Sequence, residues 1–266
     1  MSGDTLTPEL PGRGAAGYFG KMPARGDFVS GSLAREFVDP WDDWIQASIE
    51  QSHDRLDEQW LDIYLTSPLW RFALAPSICG GHPWGGVLMP SVDAVGRYFP
   101  LTIAAPLLPE TNISTLPANA QDWYSRAEAL ARSSLDDEFD LEAFDQSISG
   151  LGAPTGQAMA EPEEQSTDNA ARLGNAWRFG MPVADQFALD CPTLLHEAMQ
   201  RLLFAYSLWW TSGSSRISPS YLFCQGLPPP QGYAAMLDGD WQHWGWDDRH
   251  VLHASSGLTV PIADDQ

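Results

Sequence analysis

Between Pro68 and Leu107 the chain alternates apolar segments with turn-forming residues and carries almost no charge. Trp70 to Ala75 alternates large and small side chains, Gly86 to Met89 is apolar throughout, and Phe99, Leu101, Ile103, Ala105 and Leu107 recur at every second position. A period of two marks a strand, in which successive side chains point to opposite faces. Gly80-Gly81 and His82-Pro83 separate the first two segments, and Ser91 to Gly96 separates the next two; both breaks have turn composition. The pattern predicts three neighbouring strands in the middle of a sheet. Strands with so few polar positions must be covered on both faces, so flanking helices become the covering layers of an α/β fold.

Helical spacing occurs on either side of this stretch. Leu33, Phe37, Trp41, Trp44, Ile45, Ser48 and Ile49 fall close to i, i+4, i+8. Asp39-Pro40 supplies an N-cap and a first-turn proline, which predicts a short helix and then a longer one from Pro40 to Leu56, with Asp42, Asp43, Glu50 and Asp54 outward. Asp57 to Leu65 continues as another helical piece with Trp60, Leu61 and Tyr64 inward, and the aromatic stripe reads as core. Further helices are expected at Ala120 to Ser133, at Asp137 to Ser147 and from Asp190 to Leu203, the last with Leu194, Leu195, Ala198, Leu202 and Leu203 as its inner stripe. Ala15 to Lys21 reads as a first strand, Tyr206 to Thr211 and Ser220 to Cys224 as a pair across a Gly/Ser-rich turn, and Pro228 leads a last helix to Leu237.

These elements give a domain plan. Residues 1–14 are a flexible leader, 15–239 a single α/β domain, and 240–266 a C-terminal tail that docks Trp241, Trp244 and Trp246 on the body. Near 150–174 the composition turns to Gly, Pro and Glu with hardly a large apolar residue, which marks a mobile acidic insertion. Strands resume at Ala176 to Phe179.

Composition narrows the function classes. The formal charge is −21, from 35 Asp+Glu against 14 Lys+Arg, and Lys21 is the one lysine. That balance opposes binding to nucleic acid or anionic lipid. No basic segment followed by an apolar run opens the chain, and no run of membrane-spanning length occurs, so a cytoplasmic location is expected. Cys79, Cys191 and Cys224 are odd in number and far apart, which favours buried thiols in a reducing compartment.

Several motifs fail on context. Gly12-x-Gly14-x-x-Gly17 precedes a strand instead of following one, and Gly20-Lys21 lacks the remainder of a phosphate-binding loop. Arg25-Gly26-Asp27 reads as a tight turn, with glycine permitting a positive φ and the two charges pairing locally. His196-Glu197-x-x-Gln200 departs from the zinc-protease helix at its last position, which leaves His196 on the helix surface. His243, Asp247, Asp248, His250 and His253 are ligand-type side chains without a helical frame or cysteine partners. No nucleophile elbow and no catalytic carboxylate spacing occurs. The expectation is no cofactor, no metal and no small-molecule substrate. Lys21, Arg25, Asp27 and Arg97 stand at the ends of apolar or turn-forming strings and need partners. They either clamp two loops together, Asp27 on Arg97, or belong to a surface offered to another protein.

Three strings carry a resemblance: Gly17 to Val29 (GYFGKMPARGDFV), Tyr64 to Phe72 (YLTSPLWRF) and Gly86 to Leu101 (GVLMPSVDAVGRYFPL). They closely resemble TagF, also called ImpM, of bacterial type VI secretion systems, densely from Gly17 to Leu107 and more weakly at Trp209-Trp210-Thr211 and Gly226-Leu227-Pro228. The resemblance implies a three-layer α/β/α sandwich with a central mixed sheet, in a Gram-negative cytoplasm. It implies a non-enzymatic, post-translational repressor of secretion that binds the forkhead-associated scaffold protein Fha, with no nucleic acid and no membrane insertion. The PP2C-type phosphatase fused to some relatives finds no room in a chain of this length. The acidic insertion and the His/Trp tail depart from the family pattern. An enzyme or metal-dependent accessory module of the secretion locus is the alternative, with Lys21, Arg25, Asp27, Arg97 or the tail histidines as its best candidates.

Overall fold

The computed structural model describes residues 14–157 and 187–248, the latter with backbone alone for 187–194. Among these residues seven strands form one sheet: β1 (Gly17–Gly20), β2 (Val29–Gly31), β3 (Trp70–Leu74), β4 (Trp84–Met89), β5 (Leu101–Pro106), β6 (Tyr206–Thr211) and β7 (Ser220–Gln225). Their order is β2-β1-β5-β4-β3-β6-β7. The three strands read from Pro68 to Leu107 are therefore neighbours at its centre. Every pairing among the described strands is antiparallel, which corrects the expectation of a mixed sheet. The connections from β3 to β4 and from β4 to β5 are too short for a parallel crossover, so each strand reverses the one before. The mixed sheet was implied by the resemblance; the expectation that apolar strands are covered on both faces holds, with helices covering an antiparallel sheet.

The large members of the alternation, Trp70, Phe72 and Leu74 of β3 with Trp84 and Leu88 of β4, point to one face; the small ones, Ala73 and Ala75, point to the other with Val87 and Met89. The large face receives α1 (Arg35–Leu56), α2 (Trp60–Thr66) and α7 (Tyr233–Asp238). Buried Phe37, Trp41, Trp44 and Ile45 of α1 interleave with Phe72 and Trp209. Buried indole N–H groups need acceptors: Trp41 donates to Thr102 Oγ1 at 2.9 Å, Trp44 to the Pro228 carbonyl at 2.7 Å and Trp70 to the Met236 carbonyl at 3.0 Å. Gly86 of β4 leaves space for this aromatic layer, since a Cβ there would stand 2.3 Å from Phe72 Cζ.

The small face receives α3 (Leu116–Asn119), α4 (Gln121–Ser133) and α5 (Leu141–Ser149), with α6 (Phe187–Leu203) beside β6. Tyr124 of α4 is fully buried and donates to the Phe72 carbonyl, and Arg71 reaches from β3 to Glu128 at 2.6 Å. Residues 150–157, where the acidic insertion begins, lie against this layer: Leu151 is buried, Trp123 donates to the Gly152 carbonyl, the Gln157 N–H donates to Thr115 Oγ1, and the Gln157 carbonyl accepts from the Asn112 N–H. The leader through residue 13, the insertion from 158 to 174, the strand expected at Ala176 to Phe179, and the tail from 249 lie outside the described residues.

Four local expectations are corrected. One helix runs unbroken from Arg35 to Leu56 with Pro40 inside it, where a short helix and a second start were expected. The burial of Phe37 and Trp41 on one stripe holds the helix through the proline, which lacks one hydrogen-bond donor. Leu61 is exposed, and Ile63 takes its place beside Trp60 and Tyr64. On α6, Leu195 and Leu202 face outward, whereas His196 is 2 % exposed and lies 2.5 Å from the Tyr206 hydroxyl through Nδ1. Burial holds its imidazole below the usual range. Gly26 does not adopt a positive φ; the 25–27 segment bends instead through bonds to its neighbours, described below. The tryptophans of the tail dock as expected through residue 248: Trp241 packs edge-on against Trp70, Trp246 donates to the Gly232 carbonyl and Trp244 to Asp238.

Candidate functional site

At the end of β1 the backbone leaves the sheet at Lys21, and the 22–28 segment returns to β2. Beyond β4, residues 91–98 form a tight excursion closed by a bridge between Val92 and Tyr98. Gly96 takes φ +84° at its tip, a conformation open to glycine at little cost. The two segments are stitched together. Ser91 Oγ donates to the Lys21 carbonyl at 2.7 Å, Ala94 N–H to the Arg25 carbonyl at 2.8 Å, and Arg97 Nη2 to the Gly26 carbonyl. Tyr64 of α2 fixes the base of the excursion through its hydroxyl and both backbone polar groups of Ser91.

Asp93 is the hub. Its Oδ1 accepts from the backbone N–H groups of Val95 and Arg97, and its Oδ2 accepts from Lys21 Nζ at 2.6 Å and Arg97 Nε at 2.7 Å. Burial pushes this carboxyl up, but Lys21, Arg97 and the two backbone donors outweigh it and hold it well below the usual carboxylate range. A buried carboxylate saturated with donors is a structural knot, with no lone pair aimed at a substrate. Lys21 is buried as well, with its ammonium over the Phe28 ring at 4.9 Å.

Above the knot lies an exposed surface. Phe28 stacks on Phe19 and meets Phe99 edge-on at 4.8 Å, yet half of it faces solvent. Val95 is 69 % exposed, and Arg25, Asp27 and Arg97 are exposed on the same two segments. Thus Lys21 and Arg97 share Asp93, while Asp27 reaches Arg97 at 3.6 Å as a fully exposed partner. A solvent-exposed ion pair of this kind contributes little. Arg25 forms no ion pair among the described residues, with Asp27 or any other carboxylate. Asp93, Ser91 and Phe28 were not among the candidate site residues read from the sequence, and Tyr64 was read only as core. Asp93 carried a signal in its spacing, since an aspartate before Ala-Val-Gly-Arg can accept from the backbone two and four residues on.

Chemistry elsewhere is sparse. Burial pushes the Cys79 and Cys224 thiols up to about 12, so neither is a thiolate nucleophile. No three His, Cys, Asp or Glu side chains among the described residues are grouped to hold a metal. His243 lies against the Trp244 ring, and His250 and His253 fall outside the described residues. No described helix is long and apolar enough to cross a membrane.

Comparison with known proteins adds the relationship. Residues 17–151 match the family described as the TagF N-terminal domain, type VI secretion system-associated. Among solved structures the chain is similar to PA0076 from Pseudomonas aeruginosa PAO1, at 36% identity over 92% of this chain and 100% of that one, with a TM-score of 0.73. A search of curated proteins finds no match. The family match takes in the knot, both stitched segments and more than half of the sequence, and the chain belongs to the TagF family of type VI secretion system-associated proteins.

Proposed function

We propose that this protein is a non-enzymatic, cytoplasmic regulator of type VI secretion that represses it by occupying the surface of the Fha scaffold. The observation that carries the reading is the two-loop platform: Phe28 and Val95 exposed on a base fixed by Asp93, Lys21 and Tyr64, with Arg25 exposed on the same loop as Phe28 and without an ion pair among the described residues. Interfaces draw most of their affinity from a few such anchors, aromatic and arginine side chains held in advance in the bound geometry. The resemblance to TagF supplies the partner class, and the helices on both sheet faces agree with the three-layer sandwich it implies.

The test is a calorimetric titration of the Fha scaffold paired with a thermal melt of the same preparation. Arg25→Ala is expected to weaken binding by more than tenfold, about 1.4 kcal/mol, with an unchanged melting temperature. A lowered melting temperature would make Arg25 a clamp, and unchanged values in both measurements would place the binding surface elsewhere.

A further inference from the structure

Where α1 ends, Asp57 takes φ 45° and the chain turns through residues 57–59 into α2. An open groove of about 620 Å³ lies over this corner. It is lined by the apolar and aromatic Ile49, Trp60, Leu61 and Tyr98, by the carboxylates Glu50, Asp54, Asp57 and Glu58, and by His53. None of these four carboxylates is ion-paired among the described residues. They are also spread too widely for a metal, since no three acidic or histidine side chains among the described residues are grouped to hold one. An apolar lining set beside four carboxylates without ion pairs complements an extended cation with hydrophobic side chains.

We infer that this groove docks a basic, amphipathic segment of a protein partner, with its apolar side chains on Leu61 and Tyr98 and its arginines or lysines against the carboxylates. The inference rests on the docking reading in one respect: Tyr98 follows Arg97 directly, so the groove adjoins the platform along the chain. The net charge of −21 draws a basic segment toward the molecule, and the groove gives it a place to seat.

The probe is a fluorescent peptide of alternating arginine and leucine, titrated by anisotropy at about 0.15 M salt, where long-range attraction is screened. Saturable binding to the wild type is expected. The triple variant E50Q/D54N/E58Q should lose at least about tenfold in affinity. A control, D136N/D137N/E138Q, removes equal charge from the exposed turn between α4 and α5 and should change affinity by less than about twofold. Equal losses in both variants would reduce the binding to net charge and overturn the groove. Non-saturable binding would do the same, as would competition by millimolar calcium, which would mark an inorganic cation site. Arg25→Ala should leave peptide affinity unaltered, so failure of the scaffold reading and failure of the groove are read separately.

Discussion

At the residue scale, Asp93 and Lys21 show how a charge pair can hold a surface without forming part of it. Both are buried, 2.6 Å apart, and the remaining acceptor capacity of the carboxylate is filled by Arg97 and two backbone donors. Removing one partner strands the other in the interior, which costs far more than the pair itself contributes. Asp93→Ala is therefore expected to lower the melting temperature by several degrees, while a double replacement, Lys21→Met with Asp93→Leu, recovers part of the loss. Recovery of nothing would assign the stability to the backbone donors alone. The pH dependence follows from the depressed carboxyl: its folded value lies below its unfolded one, so its contribution is fully present above the ordinary carboxylate value of about 4 and is lost as pH falls below it. Denaturant midpoints of the wild type and Asp93→Asn should accordingly converge on acidification. The pair joins residues 72 positions apart in sequence. Lys21, Arg25, Asp27 and Arg97 could be singled out because charges at strand ends need partners, but that need does not name the partner.

At the element scale, β4 shows what a strand of glycines accomplishes. Gly86 lies between the Phe72 ring and the Ile103 carbonyl, with the first 2.3 Å and the second 2.6 Å from where a Cβ would be. Both obstacles belong to the packed centre of the sheet, so Gly86→Ala should destabilise by about 1–3 kcal/mol or more, measured by urea unfolding. A neutral result would mean that Phe72 can move. The three central strands were legible because period two survives burial when large and small side chains alternate. The sense of pairing was not, because low polarity reports cover on both faces and says nothing of direction. Pro40 misled for a related reason: its local signal starts a helix, but the aromatic stripe from Phe37 to Ile45 outweighs one lost hydrogen bond. On α6 the leucine spacing pointed to the wrong stripe, and His196 takes the buried position because Tyr206 offers it a hydrogen bond. Its imidazole is held below the usual value by burial, so the unfolded chain takes up a proton first as pH falls through about 6.5. Stability should decline from that point, and His196→Gln should flatten the slope between pH 7 and 5 relative to the wild type. An identical slope in the variant would remove His196 as the cause.

At the scale of the whole molecule, one sheet carries two aromatic-lined cores and offers a single built platform where β1 and β4 leave it. The platform combines exposed apolar side chains with a base held by many hydrogen bonds, a combination suited to docking. With a net charge of −21 the remaining surface favours solubility and repels acidic partners. The most direct measurement is hydrogen exchange of the full chain with and without the Fha scaffold, read peptide by peptide. The account predicts slowed exchange at 22–28 and 91–98 and unchanged exchange along β7 at the far edge of the sheet. Protection confined to β7, with both loops exchanging as in the free protein, would contradict it.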